Sequence, residues 1–129
     1  MKNGYIFSAM NSGQIIKAGL VLCLLYVVIG AFGAHGLSEM IGDMRNTFDT
    51  GSEYHGFHGL GLIAIGMLGK QFNIDMRWAA YAMIFGVLLF SGSLYLMSVY
   101  KMKLGLVTPI GGVGFVAGWV VALRKVFLS

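Results

Sequence analysis

Four long apolar runs separated by short polar groups organise this chain of 129 residues. They cover residues 15–34, 51–69, 78–100 and 104–123, approximately. Crossing ~30 Å of hydrocarbon takes about 20 helical residues at ~1.5 Å each, so every run is long enough for one crossing. Between the first and second runs the pattern changes. Leu37, Met40, Ile41, Met44 and Phe48 recur at helical spacing while Glu39, Asp43, Arg45 and Asn46 take the opposite side. That predicts a short amphipathic helix over residues 37–48, lying on the membrane surface. The fold class expected is therefore all-α: a polytopic four-transmembrane-helix bundle, one integral membrane domain over residues 1–129, with an interfacial helix between helices 1 and 2.

Local signals place the boundaries. Thr50-Gly-Ser-Glu53 matches a capping box, so the second spanning helix is expected to begin near Gly51. It stops at the polar link Lys70 to Arg77. Lys101-Met-Lys103 leaves room only for a tight turn, which makes the third and fourth helices antiparallel neighbours. Pro109 falls in the first turn or two of the fourth helix, and Arg124 and Lys125 close it. The first run ends in Ala31-Phe-Gly-Ala34, like a signal peptide with a small-residue cleavage site. Three further apolar runs follow, so an uncleaved first helix is expected.

Composition removes several classes of function. The chain is 57% hydrophobic and 11% charged, too few charges for the surface of a soluble domain. The single cysteine, Cys23, rules out a disulfide framework or a multi-cysteine metal site and reads as a small buried hydrophobe. A net charge of +4 raises nucleic acid as a partner, but the basic residues sit at helix ends and not on one face. Membrane anchoring accounts for them. With four crossings, Lys2, Lys17, Lys70, Arg77, Arg124 and Lys125 share one side, and Arg45, Lys101 and Lys103 the other. The positive-inside rule then places both termini in the cytoplasm. The 20 glycines suit close helix contacts in lipid. Gly114 with Gly118 forms a GxxxG motif, and Ala82 with Gly86 a small-xxx-small pair, either of which can serve internal packing or dimerisation.

Gly30-Ala-Phe-Gly-Ala-His-Gly36, Tyr54 with His58-Gly-Leu, Leu89-Phe-Ser-Gly-Ser-Leu-Tyr95, Thr108-Pro-Ile-Gly-Gly112 and Gly118-Trp119 follow one another in this order. The blocks resemble the bacterial YgdD/YwdK-like family of small membrane proteins, a domain of unknown function with a small eukaryotic transmembrane relative. The likeness extends over residues 18–123, approximately. It implies a four-helix integral protein of the bacterial inner membrane and carries no substrate, reaction or cofactor. Its motif positions fall on His35, Tyr54, His58, Ser91, Ser93, Tyr95, Thr108, Pro109 and Trp119. In the family, glutamine is usual where this chain has His55, so a scheme with His55 as an obligatory ligand would not extend to it.

Topology brings these blocks to one membrane face. His58 lies seven residues inside the second helix, roughly 10 Å deep at ~1.5 Å per residue. His35, Tyr54, His58, Ser91, Ser93, Tyr95 and Thr108 are expected to form a polar cluster in the outer half of the bundle, with His58 nearest its centre. Polar groups in lipid must find partners, and such a cluster is either structural glue or a binding pocket. His35, Glu53, His55 and His58 are candidate metal ligands by residue type, but H-x-x-H alone is a weak signal; no metal and no cofactor are expected. Met40 and Met44 read as apolar packing. Catalysis has little support, since no nucleophile elbow, phosphate loop or paired carboxylate lies in the apolar runs. The sequence thus favours an inner-membrane binding or structural protein over a small oligomeric channel or transporter for an ion or small solute. Its partners are membrane lipids and a sister subunit or another membrane protein, with no nucleic acid.

Overall fold

A computed structural model describes residues 10–129, and every regular element among them is helical. Lys2, counted above for the orientation, lies outside the described residues. The helices are α1 (Ser12–Ala34), α2 (Ser38–Ile41), α3 (Arg45–Phe72), α4 (Arg77–Tyr100) and α5 (Val107–Phe127). Three of them, α1, α4 and α5, are long and apolar enough to cross a membrane. The longest is α3 at 28 residues, and it is also well covered, burying His55, His58 and six glycines among other residues.

Helix α1 begins at a signal the hydrophobic pattern passes over. Asn11 Oδ1 accepts from the Gln14 backbone N–H at 2.9 Å, and the Asn11 N–H donates to Gln14 Oε1 at 3.0 Å. This reciprocal pair satisfies N–H groups that the first turn leaves orphaned.

The second long helix does not begin at Thr50-Gly-Ser-Glu53. It starts at Arg45, and Thr50 lies inside it with Oγ1 donating back to the Asn46 carbonyl at 2.9 Å. The single amphipathic helix expected over residues 37–48 is likewise divided. Helix α2 ends at Gly42, whose φ of +50° suits glycine, a 3-10 turn spans Gly42–Met44, and α3 follows at once. The apolar residues that look like one stripe come from separate pieces and are not buried alike: Ile41 and Phe48 are buried, Leu37 and Met44 are half-buried, and Met40 is exposed. Ile41 and Phe48 bury themselves with Val99 of α4, and Arg45 Nη2 donates to the Gly33 carbonyl near the end of α1 at 2.6 Å. Backbone bonding and these anchors carry α3 outward past the end of the apolar run.

The helices pack in sequence: α1 on α3, α3 on α4, and α4 on α5. Glycine makes two of these seams close. A Cβ on Gly19 of α1 would stand 2.8 Å from the Gly59 carbonyl oxygen of α3, and one on Gly118 of α5 would stand 3.1 Å from the Ala79 carbonyl oxygen of α4. Gly86 faces Phe115, and Gly111 lies directly against the backbone of Phe90. At that level α4 runs as a π-helix over Val87–Ser91. A core of Ile15, Leu62, Ile65, Met76, Ala79, Ala80, Met83 and Ala122 ties the four long helices together at the end opposite α2.

Candidate functional site

The buried polar side chains of α3 divide between two neighbours. His58 turns towards α5. Its ring stacks on Phe115 with centroids 3.6 Å apart and an interplanar angle of 9°. Trp119 Nε1 stands 2.9 Å from His58 Nε2, and His58 Nδ1 stands 2.8 Å from the Tyr54 carbonyl oxygen. An indole N–H only donates, so Nε2 must be the acceptor and the proton sits on Nδ1, which donates to the carbonyl. The contacts therefore specify a neutral imidazole in one tautomer. Tyr54 itself is exposed and lays its ring near Phe90 and Phe115.

His55, one turn earlier, turns the other way. Its Nδ1 lies 2.8 Å from the Tyr95 hydroxyl of α4, and the Tyr26 ring of α1 meets it edge-on. Its Nε2 is buried beside the Leu22 backbone of α1, without a well-formed hydrogen bond among the described residues. A third polar contact joins α4 to α5. Ser93 Oγ and Thr108 Oγ1 are 2.6 Å apart, and Ser93 also donates to the Phe90 carbonyl at 2.9 Å.

These three contacts are separate, so the expected polar residues are not joined in one hydrogen-bonded network. His58 reaches Trp119, Tyr95 reaches His55, and Thr108 reaches Ser93. His35 caps the C-terminus of α1 and is exposed, away from all three. Ser91 is fully buried in the π-helical turn, and its Oγ has no hydrogen-bond partner among the described residues. The candidate metal ligands are also dispersed. Among the described residues no three His, Cys, Asp or Glu side chains converge. Gly114, Gly118, Ala82 and Gly86 all lie along the α4–α5 seam, where the first two face Ala82, Gly86, Ala79 and Met83.

Beside His58 an open groove of about 600 Å³ runs between α3 and α5. Tyr54, Phe57, Phe115, Val116, Trp119 and Val120 make its walls apolar, and Glu53 stands at its margin. Sequence reasoning named Trp119 as a motif position but left it out of the polar cluster and gave it no partner. The available signal was that an indole N–H away from water needs an acceptor, and His58 was the acceptor already in hand. Arg45 and Lys101 were read as anchors alone. Lys101 in fact donates from Nζ to the carbonyls of Ile41 at 2.9 Å and Ser98 at 2.8 Å, joining α2 to the end of α4.

The profile of the family described as "Protein of unknown function (DUF423)" matches residues 29–112, which contain α2, α3, α4 and the start of α5. The chain belongs to the DUF423 family. The chain is similar to the UPF0382 membrane protein YwdK of Bacillus subtilis, 41% identical over 109 residues that cover 81% of this chain and 89% of YwdK. The UPF0382 inner membrane protein YgdD of Escherichia coli is 38% identical over 117 residues, 88% of this chain and 89% of its own. A UPF0382 membrane protein of Staphylococcus epidermidis is 40% identical over 108 residues, 82% and 88% of the two chains. No solved structure matches the chain. The resemblance of the sequence motifs to the YgdD/YwdK-like proteins and these alignments agree, and this member of the DUF423 family is a membrane protein.

Proposed function

We propose that this DUF423 protein crosses the inner membrane four times with both termini in the cytoplasm, and that it acts there as a binding or structural protein and not as a conduit. The fourth crossing is α3. At ~1.5 Å per residue its 28 residues reach about 42 Å, beyond the ~30 Å of hydrocarbon. Its polar positions, such as His55 and His58, turn towards neighbouring helices, and its exposed positions include Phe57, Leu60, Met67 and Leu68. A helix shielded in this way tolerates polarity that a lipid-facing helix would not.

Orientation is supported by where the charges are engaged. On the proposed outer side, Arg45 and Lys101 donate to helix-end carbonyls, leaving Lys103 as the basic residue there without such a task. The name of the Escherichia coli relative supports the inner membrane.

The observation that carries the functional reading is that the polar side chains of the expected cluster meet in three separate contacts, His58 with Trp119, His55 with Tyr95 and Ser93 with Thr108, that do not join into one row. A conduit needs a connected row of groups free to hold water or an ion. Here Trp119, Tyr95 and Ser93 each have a partner, and the rings of Phe90 and Phe115 pack on each other with centroids 5.4 Å apart, Phe115 lying flat on His58. The groove between α3 and α5 is the surface left to offer to a lipid chain or a partner helix. Reconstitution in liposomes tests this. Proton and potassium leak should match protein-free vesicles; a protein-dependent leak abolished by Thr108→Val would replace this reading with the channel.

A further inference from the structure

Charge is unevenly divided between the two ends of the molecule. Lys17, Lys70, Arg77, Arg124 and Lys125 lie towards the end where α3 hands over to α4 and where α5 finishes. The acid in that region is Asp75, and Arg77 Nε already engages it at 3.0 Å. Glu39, Asp43, Asp49 and Glu53 lie towards the opposite end. Arg124 and Lys125 therefore pair with no carboxylate among the described residues.

Those two cations border a cavity of about 660 Å³ between the Asn73–Trp78 corner and the last turns of α5. Trp78, which is 60% exposed, and Val121 supply an apolar wall, and Asn73 adds an amide at the rim. Since α4 starts and α5 ends here, and both are apolar enough to span, the cavity opens at the boundary between hydrocarbon and headgroups. An exposed tryptophan at that depth is the usual marker of the interface.

We propose that this cavity seats an anionic glycerophospholipid, with its phosphate between Arg124 and Lys125 and its upper acyl chain against Trp78 and Val121. Two cations without carboxylate partners favour a headgroup of net negative charge, whereas in a zwitterionic lipid an ammonium accompanies the phosphate and offsets its attraction to them. A soluble phosphate would leave the apolar wall unused, whereas a lipid uses both parts. Basic pockets between helices at a membrane face are suited to anionic headgroups. The competing explanation is that Arg124 and Lys125 only complement the α5 helix dipole and the general basic belt. That explanation gives these two residues no advantage over Lys17 and Lys70, which share the same end without lining the cavity. The inference depends on α4 and α5 being membrane-embedded and not on the number of crossings or the absence of conduction.

The test is native mass spectrometry of the full chain titrated with phosphatidylglycerol and phosphatidylcholine in competition. The wild-type protein should retain phosphatidylglycerol preferentially. At about five-fold per cation near a charged surface, the Arg124→Gln/Lys125→Gln double variant should lose roughly 25-fold of that preference. The charge-matched Lys17→Gln/Lys70→Gln double variant should keep it. If Arg124→Gln/Lys125→Gln lowers thermal stability in neutral lipid, the charge-preserving Arg124→Lys/Lys125→Arg variant provides the second reading and should bind as wild type. Equal loss in the two double variants, no preference in the wild type, loss in the charge-preserving variant, or displacement of phosphatidylglycerol by millimolar inorganic phosphate would each overturn the proposal.

Discussion

Trp119 of α5 donates its indole N–H to His58 Nε2 of α3 at 2.9 Å, and this bond fixes both the tautomer of the histidine and the distance between the two helices. The imidazole lies flat on Phe115 from the same helix as Trp119, so one α3 side chain is held by two α5 side chains. Replacing His58 with leucine keeps bulk but strands the Trp119 donor. A stranded donor costs about 1–3 kcal/mol, whereas removing both partners together can be nearly neutral. His58→Leu should therefore lower the unfolding temperature in detergent by several degrees. His58→Leu/Trp119→Phe should fall by less than the sum of the two single changes. Strictly additive losses would mean that the bond contributes nothing to stability.

His55→Gln should be nearly silent. A glutamine carbonyl can accept the Tyr95 hydroxyl in place of His55 Nδ1, which sits 2.8 Å from it. His55→Leu cannot, and should cost about 1–3 kcal/mol by leaving that hydroxyl unpaired in the seam. Thermal melts of both variants in one detergent check this, and a glutamine variant as unstable as the leucine variant would count against it.

Gly111 and Gly112 are adjacent but should respond differently to alanine. A Cβ on Gly111 would run into the Phe90 backbone, which cannot move as a side chain can, while one on Gly112 meets the Phe90 ring no closer than 3.8 Å. Gly111→Ala should destabilise by about 1–3 kcal/mol through forced separation of α4 and α5. Gly112→Ala should be tolerated. Gly118→Leu should resemble Gly111→Ala, because its Cβ would meet both Met83 Cγ at 2.7 Å and the Ala79 carbonyl oxygen at 3.1 Å. Equal stability of all three variants would show that this seam is looser than described.

Orientation can be read by cysteine accessibility in a Cys23→Ala background. Asn46→Cys, on an exposed position of the first turn of α3, should react with an impermeant maleimide in intact cells. Gln71→Cys, exposed near the other end of α3, should react only after lysis. Gln71 is the better probe there than Asn73, whose φ of +53° suits asparagine and would strain a cysteine. The reverse labelling pattern would place both termini outside.

The chain's all-helical class and the apolar helices α1, α4 and α5 were legible from the sequence because lipid makes local composition decisive. Backbone N–H and C=O groups in hydrocarbon must bond within their own segment, so a long apolar run has a helix as its available solution. The family motifs were legible for the same reason that any motif is, as residues in order. The start of α3 was not legible. Residues 45–50 are polar apart from Phe48, and only the contacts of Arg45 with Gly33 and of Phe48 with Ile41 and Val99 show why the helix extends through them. Nor could the sequence pair the polar residues. Depth along a helix follows from counting at ~1.5 Å per residue, which brings His58, Tyr95 and Thr108 to comparable levels. The rotation of each helix about its axis does not follow from counting. Tertiary packing sets it, through seams such as Gly19 on Gly59 and Gly118 on Ala79. That rotation turned His55 to Tyr95, His58 to Trp119 and His35 away from both, dividing what depth alone would have gathered into one cluster.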